Sequence, residues 1–448
     1  MPARVAIVGA GPAGAFAASS LRRFRGDVEI DLFERLPTAW GLLRAGVAPD
    51  HQEIKRLDDR FERETLKRGV RFLGNVEVGT DVTHTELMEH YTAVVYATGA
   101  QTDKSLGIPG EDLPGSWAAT EFVAWYNGHP DYRDREFDLS AKRAVVIGNG
   151  NVAADVTRLL TRSVDELAHT DVADHALEAL RQSQIEEVVV LGRRGPAQAA
   201  FTSAELRELG HIDGVDIHVD AFELDPVSEQ WLDDEGTFTA RKNVQLLREF
   251  AAREPGNAPR RIDLRFLRSP VAIRGTDRVE AIEVGRNEIV RDDSGTLRAR
   301  PLDEPVETIE AGLVLRSVGY RAVPLPDVPF DERAYVLPNV EGRVLGPDGE
   351  VIPGVYTVGW IKRGPTGILG TNKRDAEETI GCLADDLGAL PEPAGGPIDD
   401  LLAERKPDVV TADGWRAIDA AERERGRGAE RPRVKLASRD ELLAAARP

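Results

Sequence analysis

Short runs of aliphatic and β-branched residues recur along this chain, each running into glycines and then into a stretch with helical spacing. Arg4–Val8 predicts a strand, and Pro12–Phe24 predicts a helix beginning just past glycines. Val28–Phe33 predicts a second strand that ends at Glu34, completing a βαβ unit. Ala93–Tyr96 reads as a further buried strand closing in Ala97-Thr98-Gly99-Ala100. Ala144–Ile147 opens a second unit of the same kind, and Glu187–Leu191 is its next strand. Leu313–Leu315, with Ser317-Val318-Gly319-Tyr320 after it, repeats the strand-then-glycine ending, and Val355–Val358 leads into Gly359. Asp103–Pro114 and Pro324–Pro329 are rich in Gly, Pro and Asp and read as linkers. The order predicts an insertion: residues 104–320 form one domain, and residues 1–103 with 321–448 form the other. Beyond Pro391 a PEPAGGP loop precedes a charged stretch with helical spacing. The run ERERGRGAERPR (Glu422 to Arg433) is expected to be a solvated surface segment. Val164 to Gln184 adds helical pattern with no role legible in it.

The glycines sharpen this pattern into chemistry. Gly9, Gly11 and Gly14 stand in G-x-G-x-x-G spacing, and Gly148, Gly150 and Ala153 in G-x-G-x-x-A spacing. The first glycine allows a tight strand-to-helix turn. The second lets backbone approach a pyrophosphate, and the third lets helix and strand pack closely. The helix N-terminus adds free N–H groups and partial positive charge. Glu34, 20 residues past Gly14, is placed to accept hydrogen bonds from ribose hydroxyls. The position of this first fingerprint, with the later Ala-Thr-Gly turn, favours FAD. The second fingerprint has no such acid. Its strand ends in Arg193-Arg194, and two guanidiniums bind a 2′-phosphate where a carboxylate would repel it, so NADP(H) is expected. The fold class is α/β: two Rossmann-like dinucleotide-binding domains, the NADP domain inserted into a discontinuous FAD domain. Two dinucleotides in one chain imply electron traffic between a flavin and a nicotinamide.

Composition narrows the field. Hydrophobic residues make up 41% of the 448 and charged residues 30%, ordinary for a soluble enzyme. No apolar run approaches the roughly 20 residues of a membrane span. The first apolar stretch turns into glycines too soon for a signal peptide, so a cytoplasmic location is expected. The one cysteine, Cys382, rules out a disulfide framework, a Cys-x-x-Cys redox pair and a cysteine-ligated cluster. A thioredoxin-type reductase is excluded with them, and no metal site is expected. The net charge of −20 argues against nucleic-acid binding. Oligomeric state is not legible.

Four longer stretches carry a specific resemblance: WGLLRAGVAPDH (Trp40 to His51), GNGNVAADV (Gly148 to Val156), GRRGPAQAAFTSAELREL (Gly192 to Leu209) and GWIKRGPTGILGTNK (Gly359 to Lys373). The chain resembles a ferredoxin–NADP reductase of the adrenodoxin-reductase type over essentially its whole length. The resemblance implies FAD contacts at Ala13, Glu34, Leu42 and Val78. It puts Trp360 and the Gly367-Ile368-Leu369 backbone beside the flavin ring, with Gly367 also reached by NADP. It implies an NADP site at Asn149, Gly150, Asn151, Val152, Arg193, Arg194 and Glu205. Asp50 and His51 match a pair near the flavin and the nicotinamide, and with Glu205 they are the candidates for moving protons. Two departures are Leu369, where isoleucine is usual, and Lys104, where an arginine is common. The implied reaction is hydride transfer from NADPH to FAD, then single electrons to a ferredoxin-type iron–sulfur protein that docks transiently. A ferredoxin is normally acidic, so a net-negative chain needs a basic face. Arg241, Lys242 and Arg248 are one candidate; Arg260, Arg261, Arg265 and Arg268 are another, with Arg22 and Arg23 as a rim. An NADPH diaphorase reducing quinones, a flavin monooxygenase and a non-catalytic NADP(H) sensor remain as alternatives.

Overall fold

Strands buried on both faces read as unbroken apolar runs, and the central strands here do: Val5, Ala6 and Ile7 are fully buried, as are all of Ala93–Tyr96. The computed structural model describes residues 2–219, 224–254, 256–367 and 369–447. The chain divides into two compact units. One comprises Met1–Thr102, Asn127–Arg133 and Gly319–Pro448, the other Asp103–Tyr126 and Asp134–Val318.

The first unit is built on a seven-stranded sheet in the order Asn339–Val340, Arg343–Leu345, Val351–Thr357, Ala93–Tyr96, Arg4–Val8, Glu29–Glu34, Arg71–Gly74. From Val351–Thr357 to Arg71–Gly74 every pairing is parallel. Ile7 faces Leu32 on one side and Val95 on the other. The helix Pro12–Phe24 lays Phe16, Ala17 and Leu21 on one face of this sheet, together with Ala376, Ile380 and Leu383 from the helix Leu369–Asp386. Val8, Phe33, Tyr96 and Ile361 belong to the core of the opposite face.

The second unit has an all-parallel six-stranded sheet in the order Ser116–Ala118, Leu313–Arg316, Arg143–Ile147, Glu187–Gly192, Arg260–Phe266, Val215–Val219. It also carries an antiparallel sheet that the sequence reading missed, formed by Arg268–Arg274, Ala281–Arg291, Leu297–Pro301 and Glu307–Glu310. The signal was present as period-two alternation: Ile282 and Val284 are buried while Glu283 and Gly285, each following one of them, are more open. Val164 to Gln184 becomes two short helices, Val164–Leu167 and Asp174–Arg181, the first closed by a Ser163–Glu166 capping box.

Asn127–Arg133 belongs to the first unit although its sequence neighbours belong to the second. Charge explains its capture. Lys55 and Lys435 donate to Asn127 Oδ1 at 3.0 and 2.9 Å, and Arg35 pairs with Asp131 at 2.5 Å. Most of the run from Glu422 to Arg433 is exposed, as expected of a solvated segment, but its first residue departs from that expectation. Glu422 is fully buried in the helix Ala412–Gly428, and Arg433 pairs with Asp58 and Asp419 at 2.7 Å each. Among the described residues no helix is long and apolar enough to cross a membrane.

The helix His84–His90 carries a pH-sensitive brace. Thr83 and Glu86 form its capping box, and Arg405 pairs with Glu86 at 2.8 Å. The hydrogen bond from Arg405, helped by the Thr83 N–H, holds the Glu86 carboxyl down to about 2 from an ordinary 4.5. A depressed carboxyl adds stability that is present above its unfolded value and lost as pH falls through the folded one. Glu86→Gln is therefore expected to lower the melting temperature at neutral pH. In thermal melts the gap to the parent should close as pH falls from 4.5 toward about 2.

Candidate functional site

In the first unit, the turn after Arg4–Val8 leaves no room for side chains at two glycines. A Cβ on Gly9, whose φ is +105°, would lie 2.6 Å from the Ala97 carbonyl oxygen, and one on Gly14 would lie 1.9 Å from that of Gly9. Gly11 differs: the nearest atom to its Cβ position is Gly41 Cα at 3.9 Å. The helix Pro12–Phe24 starts at Gly11 with no side-chain cap, so its leading N–H groups present an open anion cradle. Glu34 sits beside it, accepting from Ala10 N at 3.0 Å and Leu36 N at 3.1 Å. Burial pushes this carboxyl up, against the lowering effect of those two bonds. Each of its oxygens has a second lone pair available to a ribose hydroxyl.

Two further segments close on this cradle. Trp40 adopts φ +79° and donates from its N–H to Ala10 O at 2.9 Å. A Cβ on Gly41 would be 2.9 Å from Gly11 Cα, so the turn leading into the helix Leu42–Ala45 lies against the fingerprint. On the other side, a Cβ on Gly359 would meet that of Ala13 at 2.5 Å. Gly359 N donates to buried Asp375 at 2.6 Å, and Lys362 pairs with the same carboxylate at 2.8 Å. This fixes the short helix Trp360–Arg363. The Trp360 ring stands 5.2 Å from that of Tyr320, and its indole Nε1 is buried without a hydrogen-bond partner among the described residues. The structure thus brings Gly9, Gly11, Ala13, Gly14, Glu34, Leu42 and Trp360 into one neighbourhood. Val78 is half-buried at a bridge to Val82. Gly367 is tightly turned, a Cβ there lying 2.7 Å from Thr371 Oγ1. Ile368 lies outside the described residues, and Leu369 is described only as the first residue of its helix. Asp50 and His51 are half-buried in the loop before Gln52–Lys55; His51 occupies the N-cap position, but its side chain makes no cap hydrogen bond.

The second unit repeats the cradle. A Cβ on Gly148 would be 2.1 Å from Ser317 O, whereas Gly150 has nothing within 4 Å of its Cβ position. Gly150 starts the helix Asn151–Thr161 without a side-chain cap, and Val152 lies in its first turn. Asn149 Nδ2 is buried and has no hydrogen-bond partner among the described residues. The loop after Glu187–Gly192 is tied to the fingerprint by Ala200 N to Asn149 O at 3.0 Å and Thr202 N to Asn151 Oδ1 at 2.8 Å. Arg193 is exposed and Arg194 half-buried, and neither makes an ion pair among the described residues. Burial and the neighbouring Arg193 charge push the Arg194 guanidinium down. Two uncompensated like charges beside an open helix N-terminus suit a phosphate monoester.

Residues 3–195 match the pyridine nucleotide-disulphide oxidoreductase family. NADPH-ferredoxin reductase FprA of Mycobacterium tuberculosis is 50% identical over 456 residues, covering 99% of this chain and 98% of the relative. The chain belongs to the NADPH–ferredoxin reductase family. The mitochondrial NADPH:adrenodoxin oxidoreductase of Arabidopsis thaliana is 40% identical over 99% of this chain and 95% of its own. The solved structure of M. tuberculosis FprA in complex with NADPH superposes with a TM-score of 0.94 at 50% identity, covering 100% of both chains.

Within this reductase family's frame, three charged residues were missed in the sequence. Arg158 is fully buried and pairs with Asp155 at 2.6 Å and Glu205 at 2.9 Å, so Glu205 is anchored on the helix Ser203–Leu209. Asp375 sets the Gly359 turn, and Glu422 holds Arg44 at 2.6 Å. Arg158 reaches Glu205 across 47 residues and Glu422 reaches Arg44 across 378, pairings that no local pattern announces. The cluster at Arg260–Arg268 is engaged within its own unit: Arg260 donates to the Thr161 and Arg162 carbonyls, Arg261 pairs with Glu187, and Arg265 pairs with Asp263 and Glu307. These guanidiniums brace the unit internally.

Proposed function

We propose that this protein is an FAD-dependent NADPH–ferredoxin reductase, taking hydride from NADPH and passing electrons singly to a ferredoxin-type iron–sulfur protein. The observation that carries the reading is the Arg193-Arg194 pair, without ion-pair partners among the described residues, at the end of the strand beside an uncapped helix. Full-length identity to named reductases supports it. When bound, FAD supplies an acceptor for two electrons that can leave one at a time. The cradle at Gly11, with Glu34, Ala13, Leu42, Val78, Trp360 and the Gly367–Leu369 backbone, would hold FAD. The cradle at Gly150, with Asn149, Asn151, Val152, Arg193 and Arg194, would hold NADP(H). The buried Nε1 of Trp360 and Nδ2 of Asn149 are donors awaiting acceptors, which fits both assignments.

No protein group need join the bonds exchanged, so the residues act by alignment and charge. Asp50, His51 and Glu205 are the candidates for holding or passing a proton. A ferredoxin partner would be acidic and transient. Arg241, Lys242 and Arg248 remain as its candidate face: Arg241 donates to the Leu232 and Asp233 carbonyls, Lys242 donates to Gln245, and Arg248 is exposed. The single cysteine and the lack of a membrane-spanning helix among the described residues support a cytoplasmic location.

Anaerobic stopped-flow mixing tests the reading. NADPH is expected to bleach the flavin rapidly, NADH slowly, and an oxidised ferredoxin to restore its colour. Bleaching without delivery to any iron–sulfur protein would instead mark a quinone-reducing diaphorase.

A further inference from the structure

The helices Ala412–Gly428 and Arg439–Ala446 close the first unit by burying charge rather than apolar surface alone. Glu422 is fully buried, and its oxygens accept from Arg44 at 2.6 and 2.7 Å in a bidentate pair. One of them also accepts from Leu436 N at 2.9 Å. The Arg44 side chain is only 9% exposed. Lys435 reaches the Arg44 carbonyl from the same segment at 3.3 Å. Desolvating two charges costs much of what their attraction returns, so stability alone does not account for such a pair.

Its position does. Arg44 N donates to Gly41 O at 3.0 Å, and Gly41 lies against Gly11 of the first fingerprint. Trp40, next in line, holds a left-handed backbone that a bulky residue adopts only when its surroundings enforce it. An unbroken chain of contacts therefore runs from Glu422 through Arg44 and Gly41 to the cradle. We propose that Glu422 is a positioning residue for FAD, and that the C-terminal helices are a clasp that keeps the Trp40–Gly46 turn in its binding conformation. This rests on the assignment of FAD to the Gly9–Gly14 fingerprint.

The test uses the holoprotein and the double variant Arg44→Met/Glu422→Leu, which removes both charges and leaves apolar groups of similar reach. Flavin release is followed by fluorescence and unfolding by circular dichroism. In the parent the two thermal transitions are expected to coincide. In the variant, flavin should leave at a clearly lower temperature than unfolding, and dissociate at least tenfold faster on dilution. If the variant fails to fold, Glu422→Asp keeps the charge but shortens its reach, and the same separation of transitions is expected to a smaller degree. Coincident transitions and a release rate within twofold of the parent's would overturn the clasp while leaving the FAD assignment intact. A parent that purifies without FAD and takes none up would overturn the assignment itself.

Discussion

Replacing Arg193 and Arg194 together by leucine is expected to raise KM for NADPH by about two to three orders of magnitude and to leave that for NADH nearly unchanged. Charge-assisted hydrogen bonds contribute roughly 1.5–3 kcal/mol each, and every ~1.4 kcal/mol is tenfold in affinity. Losing two therefore gives this range even when they are not fully additive. Arg194, half-buried, should account for more of the loss than exposed Arg193, whose contact salt screens more strongly. Folding is not the cause, because the two guanidiniums repel each other and have no ion-pair partners among the described residues. The coenzyme-free melting temperature of the variant should hold or rise. Steady-state reduction of ferricyanide by each coenzyme checks the first expectation and a thermal melt the second. Equal losses with both coenzymes would mean that the arginines support the loop rather than the phosphate.

Glu34→Ala is expected to yield protein largely free of FAD. The carboxylate organises the turn before it meets any ligand, since it accepts from Ala10 N and Leu36 N. Alanine leaves both donors without that acceptor, at a cost of about 1–3 kcal/mol for each that stays buried. It also removes the acceptor for ribose. Glu34→Gln keeps one acceptor oxygen and should fall between parent and alanine. The ratio of flavin absorbance to protein after purification measures this directly. Its pH dependence has the opposite sign to that at Glu86. Burial raises the Glu34 carboxyl, so in the ligand-free protein its contribution favours folding at low pH and weakens as pH rises through the raised value. If Glu34 holds the FAD ribose as proposed, the ribose hydroxyls would offset part of that penalty by giving the ionised group more donors.

What the sequence revealed was short-range. Strand, glycine turn, helix and the residue ending the next strand all fall within one βαβ unit, so the positions of Glu34 and the Arg193-Arg194 pair at the ends of their strands could be read from spacing. What it hid depends on partners far along the chain. Glu422 sits in a run of charges that looks solvated, yet it is buried because Arg44 waits 378 residues away. Arg158 is similar in part: beside its near neighbour Asp155, an arginine amid Leu159, Leu160 and Val156 needs Glu205, 47 residues on, to complete its pairing. Asn127–Arg133 carries no compositional mark of its allegiance to the first unit, since what captures it are Lys55, Lys435 and Arg35. The antiparallel sheet was legible as alternation of buried and open positions along Ala281–Arg291.

The pairing of Val351–Thr357 with Ala93–Tyr96 has a consequence for how the protein is made. Thr357 follows its neighbour Tyr96 by 261 residues, and the whole six-stranded sheet of the second unit lies between them. A ribosome adding about 5–20 residues per second needs on the order of 10–50 s to cover that distance. In that interval the inserted unit can complete its own sheet, while the first half of its host waits with the edge of an entirely apolar strand, Ala-Val-Val-Tyr, unpaired. The nascent chain is thus most exposed to aggregation in the middle of its synthesis, and the Gly9–Gly14 cradle proposed for FAD, first to be translated, is the last part to be finished.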